Sequence, residues 1–128
     1  MEEDLRAHLA ANTALTALVS ARIQWAVRDA VSPSVALHLI DAPPDWTLQG
    51  PSGLVQARVQ IDAWAESFLA SKTVGDAVAA ALPQIGQVIG STKFLSCVVI
   101  DKERGTAGTS PNLLHRTRTD VRVSFRPA

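Results

Sequence analysis

Leu54-Val55-Gln56-Ala57-Arg58-Val59-Gln60-Ile61-Asp62-Ala63-Trp64-Ala65 alternates apolar and polar residues. Successive side chains of a strand point to opposite sides, so Val55, Ala57, Val59, Ile61 and Ala63 share one face and Gln56, Arg58, Gln60 and Asp62 the other. One face is core and the other is wet or turned to a partner. Just before it, Gln49-Gly50-Pro51-Ser52-Gly53 is the strongest turn signal in the chain, and Ala42-Pro43-Pro44-Asp45-Trp46 reads as a stiff, extended connector.

Outward from this strand, the periodicity changes. Ser67 to Leu82 has helical composition, with Val74, Ala77, Val78, Ala81 and Leu82 in an apolar stripe that stops at Pro83. Its alanines allow close approach to a sheet. Phe94 to Ile100 is a continuous apolar strand, whereas Asp101 to Asn112 has no apolar periodicity and is expected to form a long polar loop. The last segment alternates again, with Thr117, Thr119, Val121, Val123 and Phe125 opposed to Arg116, Arg118, Asp120, Arg122 and Ser124. On the N-terminal side, Ile23–Val27 and Val35–Ile40 are short strand-like runs around a loop containing Pro33. Before them, Glu2, Glu3 and Asp4 suit a helix N-terminus, Leu5 and Leu9 share a helix face, and Asn12-Thr13 offers a new cap for a second short helix with Leu15, Leu18 and Val19 inward. The order of helices, strands, helix and strands predicts a single small α+β domain over residues 1–128, a largely antiparallel sheet with helices packed on one face.

Composition narrows the function. With 128 residues, 47% hydrophobic and 19% charged, the chain has a real core but less charge than the roughly 25% usual for soluble domains, which favours a partner-covered surface. Twelve Lys+Arg balance 12 Asp+Glu, which excludes the polybasic field of a dedicated nucleic-acid binder and any net pull towards an anionic membrane. The balance is uneven along the chain: residues 113–128 hold Arg116, Arg118, Arg122 and Arg126 against Asp120, while residues 1–112 hold 8 basic and 11 acidic groups. A self-complementary subunit would need such polarity if folding placed the two signs on different faces. Cys97, the only cysteine, sits within the apolar run and is expected to be a buried small hydrophobe. The acidic start is unlike a secretory signal, and no apolar run reaches a membrane span, so folding is expected in a reducing cytoplasm.

Catalytic patterns are weak. His8, His38 and His115 are scattered without metal-ligand spacing. The pairs Gly50/Gly53 and Gly105/Gly108 lack the Lys-Ser/Thr of a phosphate-binding loop, and Asp41 with Asp45 would be loop acids separated by prolines. No catalytic, cofactor-binding or metal residue is assigned. The terminal strand is richer: Arg116, Arg118 and Arg122 share a face with steps of about 6 to 7 Å or multiples of it, and Arg58 extends that face if the two strands pair. A charged, edge-protecting face is one reading; a surface for an acidic neighbouring subunit or a passing phosphate backbone is the other.

Taken together, the Ala-rich pattern from Leu5 to Leu18, the stretch from Pro43-Pro44-Asp45-Trp46 through Ala65, the helix Thr73 to Leu82 and the closing strand Leu114 to Phe125 resemble the tail completion or tail terminator proteins of long-tailed bacteriophages and gene-transfer agents. The turn feeding Val-Gln-Ala-Arg-Val-Gln-Ile-Asp-Ala-Trp-Ala is the most specific part. The resemblance implies a virion protein of the tail or neck, assembled in the bacterial host cytoplasm, forming a homo-oligomeric ring, commonly a hexamer, at the head-proximal end of the tail tube. There it would end tube polymerisation and support head-tail joining, with the tube protein and a head connector or stopper as partners and no membrane. It carries no active site, cofactor or metal. Arg58, Arg116, Arg118 and Arg122 would then face the ring lumen, touching DNA only non-specifically, or the next subunit. A head-side connector or adaptor ring subunit is the alternative, and a ligand-binding or hydrolytic α+β domain is the third class. The Lys102 to Asn112 segment is expected to order on assembly.

Overall fold

The computed structural model describes the backbone of residues 1–128 and every side chain except those of residues 44–47, 51 and 52. Three helices, α1 (Glu2–Ala11), α2 (Thr13–Val19) and α3 (Phe68–Ala81), pack with seven strands: β1 (Ile23–Trp25), β2 (Ser34–Asp41), β3 (Pro44–Thr47), β4 (Gly50–Ala65), β5 (Gln87–Ile89), β6 (Thr92–Ala107) and β7 (Leu114–Pro127). The sheet order is β1-β2-β4-β7-β6-β5, with β3 paired to β4. Every pairing is antiparallel except β1 with β2. The α+β class and the antiparallel sheet agree with the sequence reading.

The N-terminal helices follow their local chemistry. Asn12 closes α1 and caps α2, its side chain accepting from the Leu15 N–H at 3.0 Å. Leu5 and Leu9 of α1 and Leu15 and Val19 of α2 are fully buried. Ser67 caps α3, accepting from Ala70 N–H, and Val74, Val78 and Ala81 face inward. At Gly75 the helix comes so close to the sheet that a Cβ would lie 2.7 Å from Thr117 Cγ2. These residues meet Val35, Leu37, Ala57, Val59, Ile61, Ala63, Phe94, Val121 and Val123 from the inner face of the sheet in one continuous core. Fully burying each Leu, Val, Ile or Phe contributes about 1.5–3 kcal/mol.

Several local expectations are corrected. Residues 101–112 are not a long loop: β6 runs to Ala107, pairs with β7 from Thr92↔Pro127 to Ala107↔Leu114, and leaves residues 108–113 as the hairpin connection. Cross-strand backbone hydrogen bonds need no apolar alternation, and the side chains find polar partners. Lys102 reaches Asp76 at 3.6 Å, and Arg104 donates to Thr117 Oγ1 at 2.8 Å while lying over the Phe68 ring. The expected ordering of Lys102–Asn112 on assembly therefore fails for residues 102–107, which are already paired. Residues 44–47 form β3 instead of a connector, and its hairpin turns at Leu48-Gln49, so Gly50 already belongs to β4. β1 stops at Trp25 and runs parallel to β2. Phe94 is buried, but Val98, Val99 and Ile100 are exposed, and Cys97 is only partly buried against the core.

Candidate functional site

β4 and β7 pair from Val55↔Phe125 to Ala65↔His115, which places Arg58 opposite Arg122, Asp62 opposite Arg118 and Trp64 opposite Arg116. All four arginines singled out by their spacing therefore share the outer face, away from the helices. Carboxylates share it too. Asp62, only 2% exposed, accepts Arg118 Nε at 2.7 Å through Oδ1 and Nη2 at 3.1 Å through Oδ2. This fork-to-fork geometry raises the Arg118 pKa, the Asp62 hydrogen bond being the main cause. His38 of β2 places Nε2 3.6 Å from Asp62 Oδ2. Asp120, 4% exposed, receives Arg58 Nη2 at 3.2 Å, while its Oδ1 is buried without a partner.

Arg116 is held differently. Its guanidinium lies 5.9 Å from the centre of the Trp64 ring, and Arg28 lies 4.9 Å from the same ring, so the indole is flanked by two cations. Gly105 on the facing strand leaves room for the guanidinium, since a Cβ there would be 2.7 Å from Arg116 Nη2. Only Arg122 among the four is exposed with no carboxylate within 4 Å among the described residues.

The two signs are thus interleaved on one face, so the condition that they lie on different faces is not met on this sheet. His38, Trp64 and Arg28 are residues that the sequence reading did not attach to the arginine row, and Asp62 and Asp120, which it placed on the same faces as Arg58 and the β7 arginines, were not foreseen as their partners. Alternation alone assigns Asp62 and Trp64 to the outer face of β4, but their partners depend on the β4–β7 register. Asp41 lies with Arg58 and Arg122 in an open groove of about 430 Å³, and its pairing with Asp45 lies outside the described residues.

Elsewhere, the described residues contain no group of three His, Cys, Asp or Glu side chains placed to hold a metal, and no helix is long and apolar enough to cross a membrane. An open cleft of about 600 Å³ between the 28–32 and 111–114 segments holds Glu66 without a histidine, and the hollow that contains His8 holds no carboxylate. Burial pushes the Cys97 thiol up to about 11, which suits packing instead of nucleophilic chemistry.

No curated protein matches the sequence significantly. Among solved structures, a chain from the "Virion of native gene transfer agent (GTA) particle" superposes with a TM-score of 0.73 at 16% identity, covering 98% of this chain and 94% of that one, which establishes a shared fold. The family model for "Tail completion protein gp17" matches residues 3–125. The match spans both helical and sheet elements, from α1 into β7, and the chain belongs to this tail completion family, as a structural protein of a phage-type tail.

Proposed function

We propose that the protein caps the head-proximal end of a tail tube as a closed ring of identical subunits, ending tube polymerisation and offering the head connector or stopper a docking surface. The family match over residues 3–125 carries this reading. The fold supports it: a ring built by rotation needs two different, complementary surfaces on one subunit, and this sheet ends in two unlike edges, β1/β2 on one side and β5/β6 on the other. Six subunits is the stoichiometry proposed. Its partners are further copies of itself, the tube protein and the connector or stopper. The ring forms in the bacterial host cytoplasm and remains in the virion.

The arginine face has a limited part in this function. Arg58 and Arg118 are tied to Asp120 and Asp62, and Arg116 is stacked on Trp64, so Arg122 and the exposed Arg126 are left for passing DNA. Two such contacts give weak, sequence-independent attraction only. The activity is structural, without catalysis or cofactor.

Electron microscopy of particles carrying an epitope tag after Ala128 tests the position. Antibody label at the single junction between tube and head supports the cap. Label on the head-side connector of tail-less heads would assign the protein to the neck instead, and label along the tube would refute a terminal position.

A further inference from the structure

Two stretches of backbone at opposite ends of the sheet lack a strand neighbour among the described residues. β5 pairs with β6 only as far as Phe94, so β6 from Leu95 to Ala107 has β7 on one side and nothing on the other. β1 covers β2 only at Val35, Ala36 and Leu37, leaving His38 to Asp41 bare on that side. An unpaired edge is a template for another strand, and proteins normally blunt it with charge, bulges or cover.

The two edges are matched in level. Following the cross-strand register across the sheet, Leu39, Val59, Val121 and Val99 form one row, and His38, Gln60, Asp120 and Asp101 form the next. Val98, Val99 and Ile100 on one edge and Leu39 and Ile40 on the other are all between 37% and 52% exposed. Each edge has a register shift in this stretch, between Leu39 and Asp41 on β2 and between Val99 and Asp101 on β6. One step further along, β6 becomes charged at Lys102, Glu103 and Arg104. These residues share rows with Leu37, Ala36 and Val35, the three positions of β2 that β1 already covers. β6 is therefore apolar where β2 is bare, and charged where β2 is covered.

We infer that Val98–Asp101 of β6 pairs with His38–Asp41 of β2 in a second copy of this chain, continuing the sheet from subunit to subunit. Directions agree: β2, β4, β7 and β6 alternate, so β6 is antiparallel to β2, and rotation about an axis along the strands preserves that relation. At equal level, Val99 meets Leu39 and the Asp101 carboxylate meets the His38 imidazole of the neighbour. Charged Lys102–Arg104 prevents the pairing from sliding along β6. The inference rests on the ring reading and specifies its interface.

Cross-linking tests it. In a Cys97→Ser background, Leu39→Cys combined with Val99→Cys should, on oxidation of the isolated protein and of particles containing it, give a covalent ladder ending at the ring number. Leu39→Cys with Ala107→Cys, out of level, should give none. Val99→Lys with Ile100→Lys should weaken self-association about 100-fold or more without lowering the melting temperature measured at dilutions where the wild type is also dissociated, whereas Val88→Lys, exposed on β5, should leave assembly unchanged. If the wild-type chain assembles but the in-level pair gives no ladder and the double lysine variant assembles normally, the edge pairing is wrong and the ring reading stands. If the wild-type chain is single-copy in both solution and particles, both fall.

Discussion

Replacing Arg118 by Met should be among the most damaging single changes on the outer face. Met keeps much of the side-chain length but removes two hydrogen bonds, of 2.7 and 3.1 Å, from a carboxylate that is 2% exposed. Breaking a buried ion pair by removing one partner costs about 3–5 kcal/mol, because the remaining charge stays buried. Arg118 is itself about one-quarter exposed and His38 Nε2 remains 3.6 Å from Asp62, so water and imidazole soften the loss towards about 3 kcal/mol. For a domain of this size that corresponds to a fall of about 9–15 °C in melting temperature. Urea unfolding followed by tryptophan fluorescence measures it. The double change Asp62→Leu/Arg118→Met should return to within about 1 kcal/mol of the wild type, since neither charge is then left alone. Arg122→Ala should cost no more than about 0.5 kcal/mol, its guanidinium being exposed and unpaired. If Arg118→Met costs under about 1 kcal/mol, or the double variant is worse than the single one, Asp62 and Arg118 form a solvated surface contact and not a buried ion pair.

Gly75→Ala should destabilise by about 1–3 kcal/mol in thermal melts although alanine is the better helix former, because its Cβ would lie 2.7 Å from Thr117 Cγ2 in the contact between α3 and β7. Asn12→Ala should cost about 1 kcal/mol by removing the acceptor for Leu15 N–H, whereas Asn12→Asp should retain most of the cap; urea titrations distinguish the two. Cys97 should react with a disulfide reagent at pH 8 about 100-fold more slowly folded than unfolded, because burial raises its pKa to about 11 from 9.0. The sign follows from the folded state holding the thiol proton more tightly: this contribution to stability is fully present below pH 9 and is lost as pH rises through about 11.

Local signals in the sequence foresee the elements whose stability is local or strictly periodic. Asn12 and Ser67 mark helix starts, Leu5, Leu9, Leu15 and Val19 mark the buried helix faces, and period-two alternation marks β4 and β7. What escapes is structure supplied by a neighbour. Lys102–Ala107 has no apolar pattern because β7 completes its hydrogen bonds and its side chains end on Asp76, Thr117 and Phe68. The turn falls at Leu48-Gln49, at the leading edge of the expected Gln49–Gly53, because β4 extends back to Gly50 to pair with β3. The arginine row was legible as a row. The ion pairing of Arg58 and Arg118 was not, since Asp62 lies 56 residues from Arg118 and Asp120 lies 62 from Arg58, and only the strand register brings them together.

Particles answer directly whether, as proposed, this protein stops the tube and enables the head to join. Electron micrographs of particles produced without the protein give the tail-length distribution and the fraction of tails bearing heads. A cap predicts a broad distribution extending beyond wild-type length, with headless tails and tail-less heads accumulating. Tails of uniform wild-type length joined to heads at the normal frequency would contradict it.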